Sequence, residues 1–81
     1  MNLKSALNDY VTVSKDILGG TPVFKNTRVP VKILFDYLKG GENLQEFLDN
    51  YPTVKKKHAE KILELLAVYL IEIETNNEAA A

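Results

Sequence analysis

Eighty-one residues with no Cys, a single His and a net charge of −1 describe one small domain, from which disulfides and thiolate metal sites are excluded. A chain of this size buries only about 60% of the surface its unfolded form exposes, so with those staples gone oligomerisation is the expected source of extra stability. The charge is unevenly placed: residues 1–61 carry all ten basic and seven acidic residues, giving +3, while residues 62–81 carry four Glu and no base, giving −4.

The start, MNLKSALNDYVTV, lacks the apolar core and small-residue cleavage site of a signal peptide. No apolar run approaches the roughly 20 residues of a membrane span, and a soluble cytoplasmic protein is expected. Leu3, Ala6, Leu7 and Tyr10 recur at i, i+3, i+4 and i+7 and predict a short amphipathic helix over residues 2–9. Tyr10-Val11-Thr12-Val13 predicts a strand, Ser14-Lys15-Asp16 a turn, and Gly19-Gly20 another. Pro22-Val23-Phe24-Lys25 predicts a second short strand, with Asn26 placed where a tight turn needs positive φ. Val29-Pro30-Val31 leads into a helix, because Pro pre-sets φ and is tolerated just before or at the first helical position. The strands amount to a small β-ribbon, too small to be the core.

From Val31 the period becomes helical. Val31, Leu34, Phe35 and Leu38 share one face, and Gly40-Gly41 stop the helix. Leu44, Phe47 and Leu48 predict a second short helix with Asn43 as its N-cap and Pro52 at its end. Thr53 is expected to cap a long third helix over residues 54–73, faced by Ala59, Ile62, Leu63, Leu66, Tyr69, Leu70 and Ile73. Residues 74–81 read as a fraying tail. The expectation is a single domain over residues 1–81, mainly α with a small N-terminal β-ribbon. Residues 1–30 hold the first helix and the ribbon. Residues 31–73 hold three helices in helix-turn-helix order, homeodomain-like or winged-helix-like, turning at Tyr51-Pro52-Thr53.

Lys55-Lys56-Lys57-His58 fall at the start of the long helix, an end that favours Asp or Glu. They read either as a solvated lysine run or as a phosphate-facing patch that works with the free N–H groups of a recognition helix. In the second reading Lys55, Lys56 and His58 enter the major groove of DNA, and Lys57 and Lys61 stay near its backbone. With no second His and no Cys in the chain, His58 reads as a surface or DNA-facing polar residue rather than a metal ligand or general base. Paired-carboxylate, nucleophile-elbow and phosphate-loop spacings are missing, so no catalytic residue, metal, cofactor or enzyme activity is expected.

Leu65 to Ile71 is apolar at seven consecutive positions. At 100° per residue Leu66 and Leu70 lie on the core stripe, while Val68 falls opposite, flanked by Leu65 and Ile71. Either the N-terminal helix and ribbon cover that second face, or Leu65, Val68 and Ile71 form a homodimer interface. Arg28 is the only Arg, against nine Lys. One guanidinium has five donors and can pin loop carbonyls or a carboxylate; the other reading is a phosphate or base contact made from the ribbon.

GGTPVFKNTRVPV, residues 19–31, resembles the signature of the domain-of-unknown-function family 433, in which a glycine-rich turn and a Pro-Val pair precede Gly-Thr-Arg-Ile-Pro-Val. Gly-Gly followed by Glu-Asn-Leu-Gln-Glu-Phe-Leu and Tyr-Pro is similar to the family's second block, so the resemblance runs from Tyr10 to Ile71. Gly20, Pro22, Thr27, Arg28 and Pro30 match the signature, as a folding and positioning motif. Asn26 stands where the family has Gly, and Asn is the best substitute at positive φ. The resemblance implies a helix-turn-helix domain with an N-terminal ribbon and a VapB-like antitoxin role beside a PIN-like ribonuclease toxin. The resulting expectation is a homodimeric, DNA-binding antitoxin that represses its own promoter in a type II toxin–antitoxin pair. The rival is a protein-interaction module that binds no DNA, which the −1 net charge favours.

Overall fold

A side-chain cap sets the first helix. In the computed structural model of this chain, which describes residues 2–76 and side chains through Glu72, Asn2 is extended and its side chain accepts from the Ser5 N–H. Helix α1 therefore runs over Leu3–Leu7. Beyond it, Lys25 Nζ donates to the Asn8 carbonyl at 3.2 Å, giving the C-terminal end of α1 the positive charge it favours.

Strand β1, Val11–Thr12, pairs antiparallel with β2, Val23–Phe24, with Val11 opposite Phe24 and Thr12 opposite Val23. The connection passes through a 3₁₀ turn at Leu18–Gly20, where Leu18, Gly19 and Gly20 all take positive φ (47°, 65° and 97°). After β2 the chain folds back. Thr27 N–H donates to the Phe24 carbonyl at 3.0 Å across a turn in which Asn26 takes φ 63°, the conformation expected of it. Phe24 N–H then reaches the Val29 carbonyl and Val31 N–H the Pro22 carbonyl, with Val23 opposite Pro30. Pro30 thus occupies a ladder position that asks for no N–H donor, and it leads directly into α2.

Helix α2, Val31–Lys39, ends on the predicted glycine pair. Gly41 takes φ 88°, Gly41 N–H bonds the Leu38 carbonyl and Glu42 N–H the Tyr37 carbonyl, the two bonds of a Schellman motif. Helix α3, Leu44–Asn50, opens on Asn43 as expected, and Glu46 completes a reciprocal capping box: Asn43 Oδ1 accepts from Glu46 N–H at 2.9 Å and Glu46 Oε1 from Asn43 N–H at 3.2 Å.

Helix α4 spans Lys56–Asn76, not 54–73, and Thr53 does not cap it. Thr53 is exposed, whereas Val54 is 5% exposed and belongs to the core. Anchoring Val54 draws residues 51–54 into a turn, closed by Val54 N–H on the Tyr51 carbonyl at 3.0 Å, and postpones the helix to Lys56. The core gathers Phe24, Leu34, Phe47, Val54, Ala59 and Ile62. Phe47 is its hub: its ring centroid lies 5.6 Å from Phe24, 5.5 Å from Tyr37 and 5.2 Å from Tyr51. Helix α1 packs along α4, and α2 along α3.

The architecture is mainly helical with a two-stranded antiparallel sheet, four helices in all among the described residues. The core stripe of α4 is shorter than its spacing predicts. Ala59 and Ile62 are buried and Leu63 and Leu66 partly so, but Tyr69 is 39% and Leu70 63% exposed, because α4 outruns the elements that could cover it. Ile73 and the tail from 77 onward lie outside the described side chains and residues.

Candidate nucleic-acid interface

The lysine run sits where α4 begins. Lys55 precedes the helix and its carbonyl accepts from Ala59 N–H at 3.2 Å and His58 N–H at 3.0 Å. Lys56 and Lys57 occupy the first turn, which contains no acidic residue. All three are exposed, and among the described residues none of their side chains makes a hydrogen bond or ion pair. The helix thus presents its unpaired N-terminal N–H groups beside three free ammonium groups, an arrangement that attracts anions.

His58 and Lys61 differ from their neighbours. His58 is half-buried, with its ring edge-on to Tyr10 at 5.4 Å between centroids. Lys61 is half-buried and pairs with Glu64 at 3.3 Å, so its charge is partly answered within the helix. The free positive charge therefore concentrates on Lys55, Lys56 and Lys57.

Four of the five signature residues have a backbone task in the ribbon. Gly20 supplies the left-handed turn; the Pro22 carbonyl receives Val31 N–H; Pro30 sits opposite Val23 and opens α2. The Thr27 hydroxyl donates to the Phe24 carbonyl at 2.8 Å and accepts from Val29 N–H at 3.0 Å. Arg28 is the exception. It is exposed and makes no hydrogen bond or ion pair among the described residues, so the pinning expected of its guanidinium is performed by the neighbouring Thr27 instead.

On the remaining face of α4, Val68 is 37% and Ile71 60% exposed, while Leu65 is half-buried. Of the expected trio centred on Val68, Ile71 is the most open and Leu65 the least, and the open apolar surface centres on Ile71 and its neighbour Leu70. A groove of about 500 Å³ lies between α1 and the ribbon, lined by Lys4, Leu7, Asn8, Val11, Val13 and Pro22. Sequence reasoning misses both this groove and Tyr10. Tyr10 reads as a strand former, yet its carbonyl accepts from Lys25 N–H at 2.9 Å while its ring meets His58, joining the ribbon to the start of α4. No local pattern announces a contact between residues so distant in the chain. Among the described residues no helix is long and apolar enough to cross a membrane.

The family model described as "Protein of unknown function (DUF433)" matches residues 11–67. The chain belongs to this family. The DUF433 match begins at β1 and stops one residue short of Val68, so α1 and the exposed end of α4 lie outside it. The chain is 40% identical over 65 residues to "Uncharacterized protein y4eO" of Sinorhizobium fredii, covering 80% of this chain and 28% of that protein. It therefore spans little more than a quarter of the relative's length. The crystal structure of a DUF433 member protein from Anabaena variabilis superposes with a TM-score of 0.63 at 23% identity, over 90% of this chain and 72% of that one. The likeness establishes the fold of a DUF433 member.

Proposed function

We propose that this protein is a DNA-binding antitoxin. In this reading it represses its own promoter as a homodimer and neutralises a PIN-like ribonuclease toxin. The observation that carries the DNA half is the set of three free lysines, Lys55, Lys56 and Lys57, at an acid-free helix start. Such an end is electrostatically unfavourable for the helix and becomes favourable when a phosphate backbone neutralises it. The order α2, α3, α4 with a tight turn before α4 suits a helix-turn-helix, in which α4 is the recognition helix. The antitoxin half rests on the resemblance to VapB-like proteins.

The test is a gel shift at low salt with the upstream region of the protein's own gene. Six lysines per dimer, half of them in contact, give a log–log salt slope of about −3. Replacing Lys55 and Lys56 together by Glu is expected to abolish retardation and to leave helicity equal or slightly improved, since acids suit that helix end. If wild type and double variant both fail to retard the DNA, the second reading takes over: an interaction module docking through the exposed Leu70 and Ile71. Co-expression with a neighbouring PIN-like reading frame tests the antitoxin half, which fails if growth arrest is not relieved.

A further inference from the structure

We infer that the ribbon tip is a second nucleic-acid contact, in which Arg28 takes a backbone phosphate of the duplex that α4 enters. The inference rests on the DNA-binding reading and adds an element to it. Residues 17–35 carry Lys25, Arg28 and Lys32 and no acid, and residues 50–59 carry three Lys and no acid. These two acid-free basic segments come from opposite halves of the chain, and Tyr10 joins them: its backbone holds Lys25 and its ring meets His58. Within the ribbon, Lys32 is engaged by Asp36 at 2.9 Å and Lys25 by the Asn8 carbonyl. Of the three, Arg28 alone has an exposed side chain with no hydrogen bond or ion pair among the described residues.

The backbone beneath Arg28 is not loose. The two hydrogen bonds of the Thr27 hydroxyl, the Asn26 turn and the hydrogen bond from Phe24 N–H to the Val29 carbonyl fix the tip, so the guanidinium projects from a preorganised base. A planar guanidinium matches phosphate geometry, and phosphate contacts fix a protein's register on the duplex without reading sequence. A ribbon tied to the start of α4 holds such a contact at a constant offset from the lysine run.

The experiment measures affinity against salt for wild type, Arg28→Ala and Arg28→Lys, on a random-sequence duplex and on the upstream duplex. One Arg28 contact per chain added to the lysine contacts brings the wild-type slope to about −5 per dimer, and Arg28→Ala is expected to weaken both duplexes alike and to return the slope to about −3. Arg28→Lys is expected to keep the wild-type slope, and both variants the wild-type melting temperature. Wild-type slope and affinity in Arg28→Ala, beside lost binding when Lys55 and Lys56 become Glu, overturn the ribbon contact and leave the DNA reading standing. An unchanged slope with preference lost only for the upstream duplex overturns the phosphate assignment in favour of a base edge. A wild type that binds neither duplex overturns both readings.

Discussion

The hydroxyl of Thr27 closes the ribbon from both sides, donating to Phe24 on one arm and accepting from Val29 on the other. Phe24 is fully buried against Phe47, so the hydroxyl also holds a core residue in register. Thr27→Val keeps the shape and the β-branching and removes both bonds. It leaves the part-buried Val29 N–H without its acceptor, which is expected to cost about 1–3 kcal/mol, or about 4–8 °C of melting temperature per kcal/mol in a domain of this size. Arg28, one residue on, is the internal control: exposed and without a side-chain partner among the described residues, its change to Ala is expected to leave the thermal melt in place. Equal losses at the two positions would return Arg28 to the scaffold. The sequence names both residues as signature members but cannot divide their labour, because a guanidinium and a hydroxyl are equally able to bond a turn carbonyl until the turn's geometry chooses the shorter reach.

Between α2 and α3 the chain reverses with every terminal group assigned: the Schellman bonds at Gly41 close one helix and the Asn43–Glu46 box opens the next. A Cβ built on Gly41 meets nothing within 4 Å, so Gly41→Ala has only its φ of 88° to overcome. The expected loss is about 1–2 kcal/mol, read as a lower denaturation midpoint with an unchanged denaturant slope. Asn43→Ala removes the cap at about 1 kcal/mol. This junction was legible in the sequence because caps and glycine stops are local chemistry. The start of α4 was not. Thr53 is a good cap by type, but burying Val54 in the aromatic core outweighs a single capping bond, and that core is built from Phe24, Leu34 and Phe47, which lie on other elements. The same holds at the far end: Tyr69 and Leu70 keep the spacing of a core stripe, yet spacing does not reveal where the partners stop. In the candidate interface the lysine run was legible as charge, whereas the Lys61–Glu64 pair and the Tyr10–His58 contact emerge only once the chain is folded.

The molecule is elongated for its length. Its radius of gyration is 14.2 Å and its extents 43 × 30 × 20 Å, against about 12 Å expected for a compact chain of this size. The excess follows from α4, whose 21 residues make a rod of about 31 Å with its later half reaching past the ribbon and the short helices. That half carries Val68, Tyr69, Leu70 and Ile71 with between 37% and 63% of their surfaces exposed. Four neighbouring apolar side chains at the end of a rod, on a domain with a small core and no disulfide, favour a second copy as the cover. Two-fold pairing of α4 ends would also present two lysine runs to one duplex, which is what a pseudo-palindromic site with half-sites about one helical turn apart requires. Sedimentation equilibrium at high micromolar concentration is expected to give twice the 9.1 kDa chain mass. Ile71→Lys together with Leu70→Lys is expected to give a folded monomer, since neither side chain reaches the core. That monomer should bind the upstream duplex with about half the wild-type salt slope, because each protein unit then neutralises half as many phosphates. A wild type that sediments as a single chain would sink the dimer, and a charged variant that stays dimeric would move the interface away from the end of α4.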